Sequence, residues 1–182
     1  MQRYIAFLRA INVGGHTVKM DHLRKHFEKS GFANVETFIA SGNVIFESPI
    51  EDASKLERQI EFELEKLLGY AVATFIRTPR ELANVLANNP FSINDLDAEG
   101  NSLYVAFLPA VPGAEALEGI LASRTAEVEF YLKDREIFCL FRKNLGDSKF
   151  SGPRFEKTVG MPFTMRNITT VRKLAGKYPP PP

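Results

Sequence analysis

The stretch YIAFLRA at residues 4–10 recurs as YVAFLPA at residues 104–110, with five of seven residues identical and isoleucine exchanged for valine at one more. Both copies are continuous apolar runs, too short for a helix and bounded by turn formers, so each reads as a buried strand. The segments downstream of the two copies match as well. After the first, MDHLRKHFEKSGF (20–32) places Met20, Leu23 and Phe27 at helical spacing, and Gly31 supplies a stop. NVETFIASGNVIFES (34–48) gives two short strands around Ser41, Gly42 and Asn43. Ser48, Pro49 and Glu51 predict a helix start, with Ala53, Leu56, Ile60, Leu64 and Leu67 as its buried stripe and Gly69 as its end. AVATFIR (71–77) is the next strand, and a capping box at Thr78 and Glu81 opens a trailing helix that runs to residue 88.

After the second copy come a helix over 112–121, strands VEFYL (128–132) and EIFCLF (136–141), and a helix over 148–158. A short strand PFTM (162–165) and a last helix over 168–176 complete the series. The expected fold class is therefore α+β, two tandem ferredoxin-like halves, each β-α-β-β-α-β with a trailing helix, from an internal duplication. The first half spans 1–88, a turn-rich linker 89–101, the second half 102–176, and a proline-rich tail 177–182. That tail has no core to join and reads as a frayed end or a polyproline ligand.

Composition narrows the function classes. The 182 residues are 45% hydrophobic and 25% charged with a net charge of +1, an ordinary globular balance that advertises neither nucleic acid nor membrane through bulk electrostatics. No apolar run approaches the ~18 residues of a membrane span. Arg9 breaks the N-terminal apolar run before any signal-peptide cleavage site, so a cytoplasmic protein is expected. The lone Cys139 sits in the strand-like IFCLF, which reads as a packed, inert thiol.

Antiparallel pairing of the first and third strands would bring the loop after residue 8 beside the turn at Ser41, Gly42 and Asn43. Gly14 and Gly15 permit backbone conformations that aim N–H groups at a ligand, and the helix behind them adds a positive dipole end. Arg9 and Lys19 offer charge, and Asn12 a hydrogen-bonding amide. The same glycines equally suit a tight strand-to-helix turn. In the second half, Gly146, Ser148 and Lys149 precede the predicted helix, and Arg166 and Asn167 close the last strand. Glycine, hydroxyl, lysine and arginine around a helix N-terminus suit an anion, although a plain helix cap uses the same residues. If the halves dock with these edges facing, one cleft collects both sets.

Other chemistries find little support. There is no P-loop, no G-x-S-x-G elbow and no H-E-x-x-H, so no cofactor is expected. His16, His22 and His26 lack a completing carboxylate or thiolate pattern, so no metal is expected either. One cysteine and three clustered histidines assemble no nucleophile-base set, and no reaction is assigned. RNA binding on the sheet, the alternative reading alongside a protein-binding module, suffers because strands one and three are apolar on both faces and need covering.

At LRAINVGGHTVKM (8–20), SGNVIFES (41–48), GDSKF (146–150) and MRNITTVRKL (165–174), the chain resembles a bacterial family of domains of unknown function. Its members open with LRGINVGG and carry SGN, G-x-SK and R-N-W-x-T-V motifs. Ala10 stands where that family usually has glycine, and Ile168 where it usually has tryptophan. The resemblance implies motif positions rather than an activity. They fall on Arg9, Asn12, Gly14, Gly15, Lys19, Ser41, Gly42, Asn43, Ser148, Lys149, Arg166, Asn167 and Thr170, the candidate contacts of a small anionic ligand.

Overall fold

The computed structural model describes residues 1–12, 15, 17–143 and 145–181, apart from the side chain of Asp147; Gly14 and His16, both named above, lie outside these residues. The chain divides into two compact units: Met1–Ala83 together with Leu174–Pro182, and Asn84–Lys173.

The first unit contains β1 (Gln2–Leu8), α1 (Met20–Lys29), β2 (Ala33–Phe38), β3 (Asn43–Ser48), α2 (Ala53–Leu68), β4 (Thr74–Arg77) and the start of α3 (Pro79–Ala87). Its four strands form a sheet in the order β2-β3-β1-β4, with every neighbouring pair antiparallel. The period-two pleat sends Tyr4, Ala6, Leu8, Val44, Phe46 and Ile76 into one core with Leu23 and Phe27 of α1 and Leu56, Ile60 and Leu64 of α2. Ile5, Phe7, Ile45 and Phe75, on the opposite face, are buried as well. That two-sided burial is why these strands read as unbroken apolar runs.

The helix α2 starts later than expected. Ser48 is drawn into β3 by pairing with Gln2, and Asp52 is the N-cap, its carboxylate accepting from the Lys55 backbone N–H at 3.1 Å. The stripe continues from Leu64 to Leu68, which packs against the core, whereas Leu67 is 38% exposed. Gly69 ends the helix in the left-handed conformation, as expected. On the same helix Glu57 and Glu61 accept the Ile76 and Thr74 backbone N–H groups at 2.8 and 2.9 Å, occupying donors of the edge strand β4. The Thr78/Glu81 capping box of α3 is present in both directions.

The second unit contains α4 (Ile93–Asp97), β5 (Ser102–Phe107), α5 (Ala114–Ala122), β6 (Val128–Lys133), β7 (Glu136–Phe141), α6 (Gly152–Val159), β8 (Thr164–Asn167) and most of α7 (Ile168–Lys177). Its antiparallel sheet has the order β6-β7-β5-β8. The segment expected as a linker holds α4, capped reciprocally by Ser92 and Asp95, and Asp95 pairs with Arg142 at 3.4 Å within this unit. The last residues, expected as a free tail, count with the first unit: Lys177 Nζ and the Tyr178 hydroxyl each donate to Glu36 of β2 at 2.8 Å.

Registers in the two sheets run in parallel. Ile5 of β1 faces Arg77 of β4, and Val105 of β5 faces Arg166 of β8. Both arginines are buried, each with a guanidinium N–H donated to the carbonyl of the residue before it. Among the described residues, no helix is long and apolar enough to cross a membrane.

Candidate functional site

In the first unit, the loop after β1 does lie against the β2–β3 turn. Leu8 donates its backbone N–H to the Gly42 carbonyl at 2.8 Å, and the Asn12 amide donates to the Ala40 carbonyl at 3.1 Å. The other end of that amide accepts the Val18 N–H at 2.6 Å, so one asparagine ties both ends of its own loop to the turn. Asn43 is fully buried and donates to the Phe38 carbonyl and to Ser41 Oγ, at 3.0 and 2.9 Å. Gly42 has φ +72° and is packed so closely that a Cβ would fall 2.7 Å from Ile11 Cγ2. These polar groups therefore stitch the loops together. Arg9 is half-buried, and Gly15 and Lys19 are exposed on the same loop, Lys19 standing at the N-cap position of α1 without a side-chain cap bond.

The second unit corrects the predicted helix start. Residues Leu145–Asp147 form a 3-10 turn, Ser148 Oγ donates to the Leu145 carbonyl at 2.8 Å, and α6 begins only after Ser151, its true N-cap. Ser148 therefore locks a turn instead of capping a helix. Arg166 is interior, donating to Thr164 Oγ1 and the Met165 carbonyl at 2.8 and 2.9 Å. Burial pulls its pKa down to about 10, because the charged form loses hydration. Asn167 Oδ1 accepts the Thr169 N–H at 2.9 Å, a cap on α7, and Thr170 lies half-buried inside that helix.

Among the described residues of the predicted set, Lys149 alone lines a cavity of about 550 Å³ in this unit, bounded by the end of α5, the loop into β6, and the start of α6. Its floor is Phe130, Phe150 and Phe155 with Val128; its rim carries Lys149, Arg154, Thr125 and Ser151. The walls are held by ordinary packing. Arg124 donates twice to the Phe130 carbonyl, at 3.0 and 2.7 Å, fixing the loop onto β6. Gly119 lets α5 approach α6 so closely that a Cβ would meet Thr158 Cγ2 at 2.7 Å.

The lining carries, among the described residues, four hydroxyls, of which Ser123 and Thr158 donate to the Gly119 and Arg154 carbonyls, while the other two keep hydrogens to give. Thr125 Oγ1 accepts two backbone N–H bonds, from Glu127 and Val128, so its own hydrogen remains to be donated. Ser151 Oγ accepts from the Arg154 N–H and likewise keeps its hydrogen. Lys149 and Arg154 are exposed cations. Among the described residues the one carboxylate of the lining, Glu127, is paired with Lys143, whose hydrogen bond holds its pKa below the usual range, and the charge of Lys149 acts in the same direction. Arg154, Thr125, Ser151 and the three rings are absent from the sequence-based set. Ser151 followed by Gly152 and Pro153 was the legible signal for this helix start.

Among the described residues no group of three or more His, Cys, Asp or Glu side chains could hold a metal. Cys139 is fully buried, and desolvation pushes its thiol pKa far up, the setting of an unreactive sulfur. The aromatic residues of β1 and β3, Tyr4, Phe7 and Phe46, are all buried, which leaves those strands no stacking platform for bases.

A family described as "Protein of unknown function (DUF1697)" matches residues 1–138. The chain belongs to this family. The DUF1697 match covers residues 1–83 of the first unit and reaches β7, ending before Lys149 and α6. Among solved structures, the conserved bacterial protein SP0830 from Streptococcus pneumoniae is similar at 22% identity, covering 98% of each chain with a TM-score of 0.72. That likeness is one of fold. No curated protein matches the chain.

Proposed function

We propose that the chain binds a small anionic ligand, phosphorylated compounds included, in the cavity of the second unit. What carries this reading is the imbalance of its polar lining. Two cations and two hydroxyls with hydrogens to give face a space where the one carboxylate among the described residues is already paired. A ligand there can accept hydrogen bonds from these groups and gains from carrying negative charge. The cavity volume lies within the usual ~300–1,000 Å³ of small-molecule sites.

We also read the two halves as ferredoxin-like units from one duplicated segment. The matching strand orders, the repeat in β1 and β5, and a buried arginine at the same register of β4 and β8 support that reading.

The test is a thermal-denaturation screen of the whole chain against phosphate, sugar phosphates, aryl phosphates and carboxylates. A ligand confined to the folded state adds about 2.7 kcal/mol at a hundredfold excess over its dissociation constant. The expected outcome is stabilisation by at least one anion, weakened about tenfold or more in affinity by K149A/R154A. Stabilisation that ignores those two substitutions, or none by any anion, overturns the proposal.

A further inference from the structure

We propose that the anion carries an aromatic body: the cavity takes an aryl phosphate or aryl carboxylate in preference to a bare oxyanion or a sugar phosphate. This rests on the anion-binding reading above and specifies its ligand.

The space is larger than an oxyanion needs, and its charges stand on the rim while its floor is phenyl. Phe130 and Phe155 stack at 4.5 Å with planes 20° apart and are almost completely buried, closing the floor. Phe150 tilts 57° from Phe155 at 5.4 Å between ring centres and 44° from Phe130 at 6.2 Å. It is only half-buried and lines the open space. A ring entering there meets tilted and offset neighbours, the arrangement aromatic pairs prefer. Val128 continues the apolar surface. A bare phosphate on the rim would leave the open face of Phe150 in contact with water and gain nothing from it. A sugar body would press hydroxyls against phenyl rings, where each hydroxyl without a partner costs free energy. An aryl anion satisfies both ends: its ring covers the floor while its head group accepts from Lys149, Arg154, Thr125 and Ser151.

Isothermal titration of the whole chain with inorganic phosphate, ribose 5-phosphate, phenyl phosphate and benzoate decides the matter. The expected result is that phenyl phosphate or benzoate binds about tenfold or more tighter than inorganic phosphate and ribose 5-phosphate. F150L should remove most of that advantage without changing phosphate affinity, and F150Y should keep it; a thermal melt of each variant checks folding. Ribose 5-phosphate or inorganic phosphate binding as tightly as phenyl phosphate, and still requiring Lys149 and Arg154, overturns the aromatic preference and leaves the anion site standing. Phenyl phosphate binding that is indifferent to Phe150, Lys149 and Arg154, or no binding by any of the four, overturns both.

Discussion

Gly42 is where a single hydrogen atom in place of a side chain matters most. Its φ of +72° is costly for any other residue, and Ile11 already occupies the space a Cβ would take. G42A should lower stability by about 2 kcal/mol, read as a lower urea midpoint with an unchanged slope; a neutral result would show that the loop can shift away. The neighbouring positive φ values have no such relief: Ala10 sits at +54° and Ile39 at +51°. At Ala10 the left-handed backbone is one that glycine would adopt more easily. At this scale, sequence alone identified which loops meet, because antiparallel pairing of β1 with β3 fixes that. It did not reveal that Asn12 bonds across to the β2–β3 turn while Asn43 bonds to Phe38 and Ser41 within that turn, since such loop bonds leave no periodic trace.

Among the elements, strands and helix types track hydrophobic period closely, and the differences fall at helix starts. Two rival caps precede α2, and the ladder decides between them: β1 recruits Ser48 as the partner of Gln2, so the helix waits for Asp52. D52A should cost about 1 kcal/mol in denaturant unfolding and S48A less; the reverse order would restore the earlier start. The start of α6 shifts for a related reason. A helix running from residue 148 would carry Pro153 in its interior, without the N–H the helical ladder needs there, so Ser151 caps instead. Glu57 and Glu61 are a further lesson. Spaced four apart on α2, they look like solvated charges in the sequence, yet both accept N–H groups of β4.

For the whole molecule, the match between residues 4–10 and 104–110 agrees with two similarly ordered sheets, and burial on both faces agrees with their unbroken apolar strands. The cavity was harder to foresee, because its rings and donors come from β6, α6 and the loops leading into them, which only tertiary packing assembles. The chain's return to the first unit was hidden as well, since it depends on two side chains reaching Glu36. Hydrogen bonds from Lys177 and then Tyr178 hold the Glu36 carboxyl below its ordinary pKa, and the same pairing raises that of Lys177. A depressed carboxyl stabilises the fold above its unfolded value, about 4.3, and loses that contribution as pH falls through the folded value. A raised lysine contributes fully below its unfolded value, about 10.4, and loses that contribution as pH rises through its folded value. The contact is therefore strongest between those limits. Amide exchange at Tyr178, whose N–H bonds the Leu174 carbonyl, should quicken at pH 3 relative to pH 6 once intrinsic rates are removed, and E36Q should flatten the difference. An unchanged pH response in E36Q would place the sensitivity elsewhere. Because residues 174–182 belong with 1–83, the second unit is an insertion within the first. On the ribosome the order of completion therefore inverts the order of emergence: the amino-terminal unit appears first but gains its closing contacts last, after the inserted unit has all its residues.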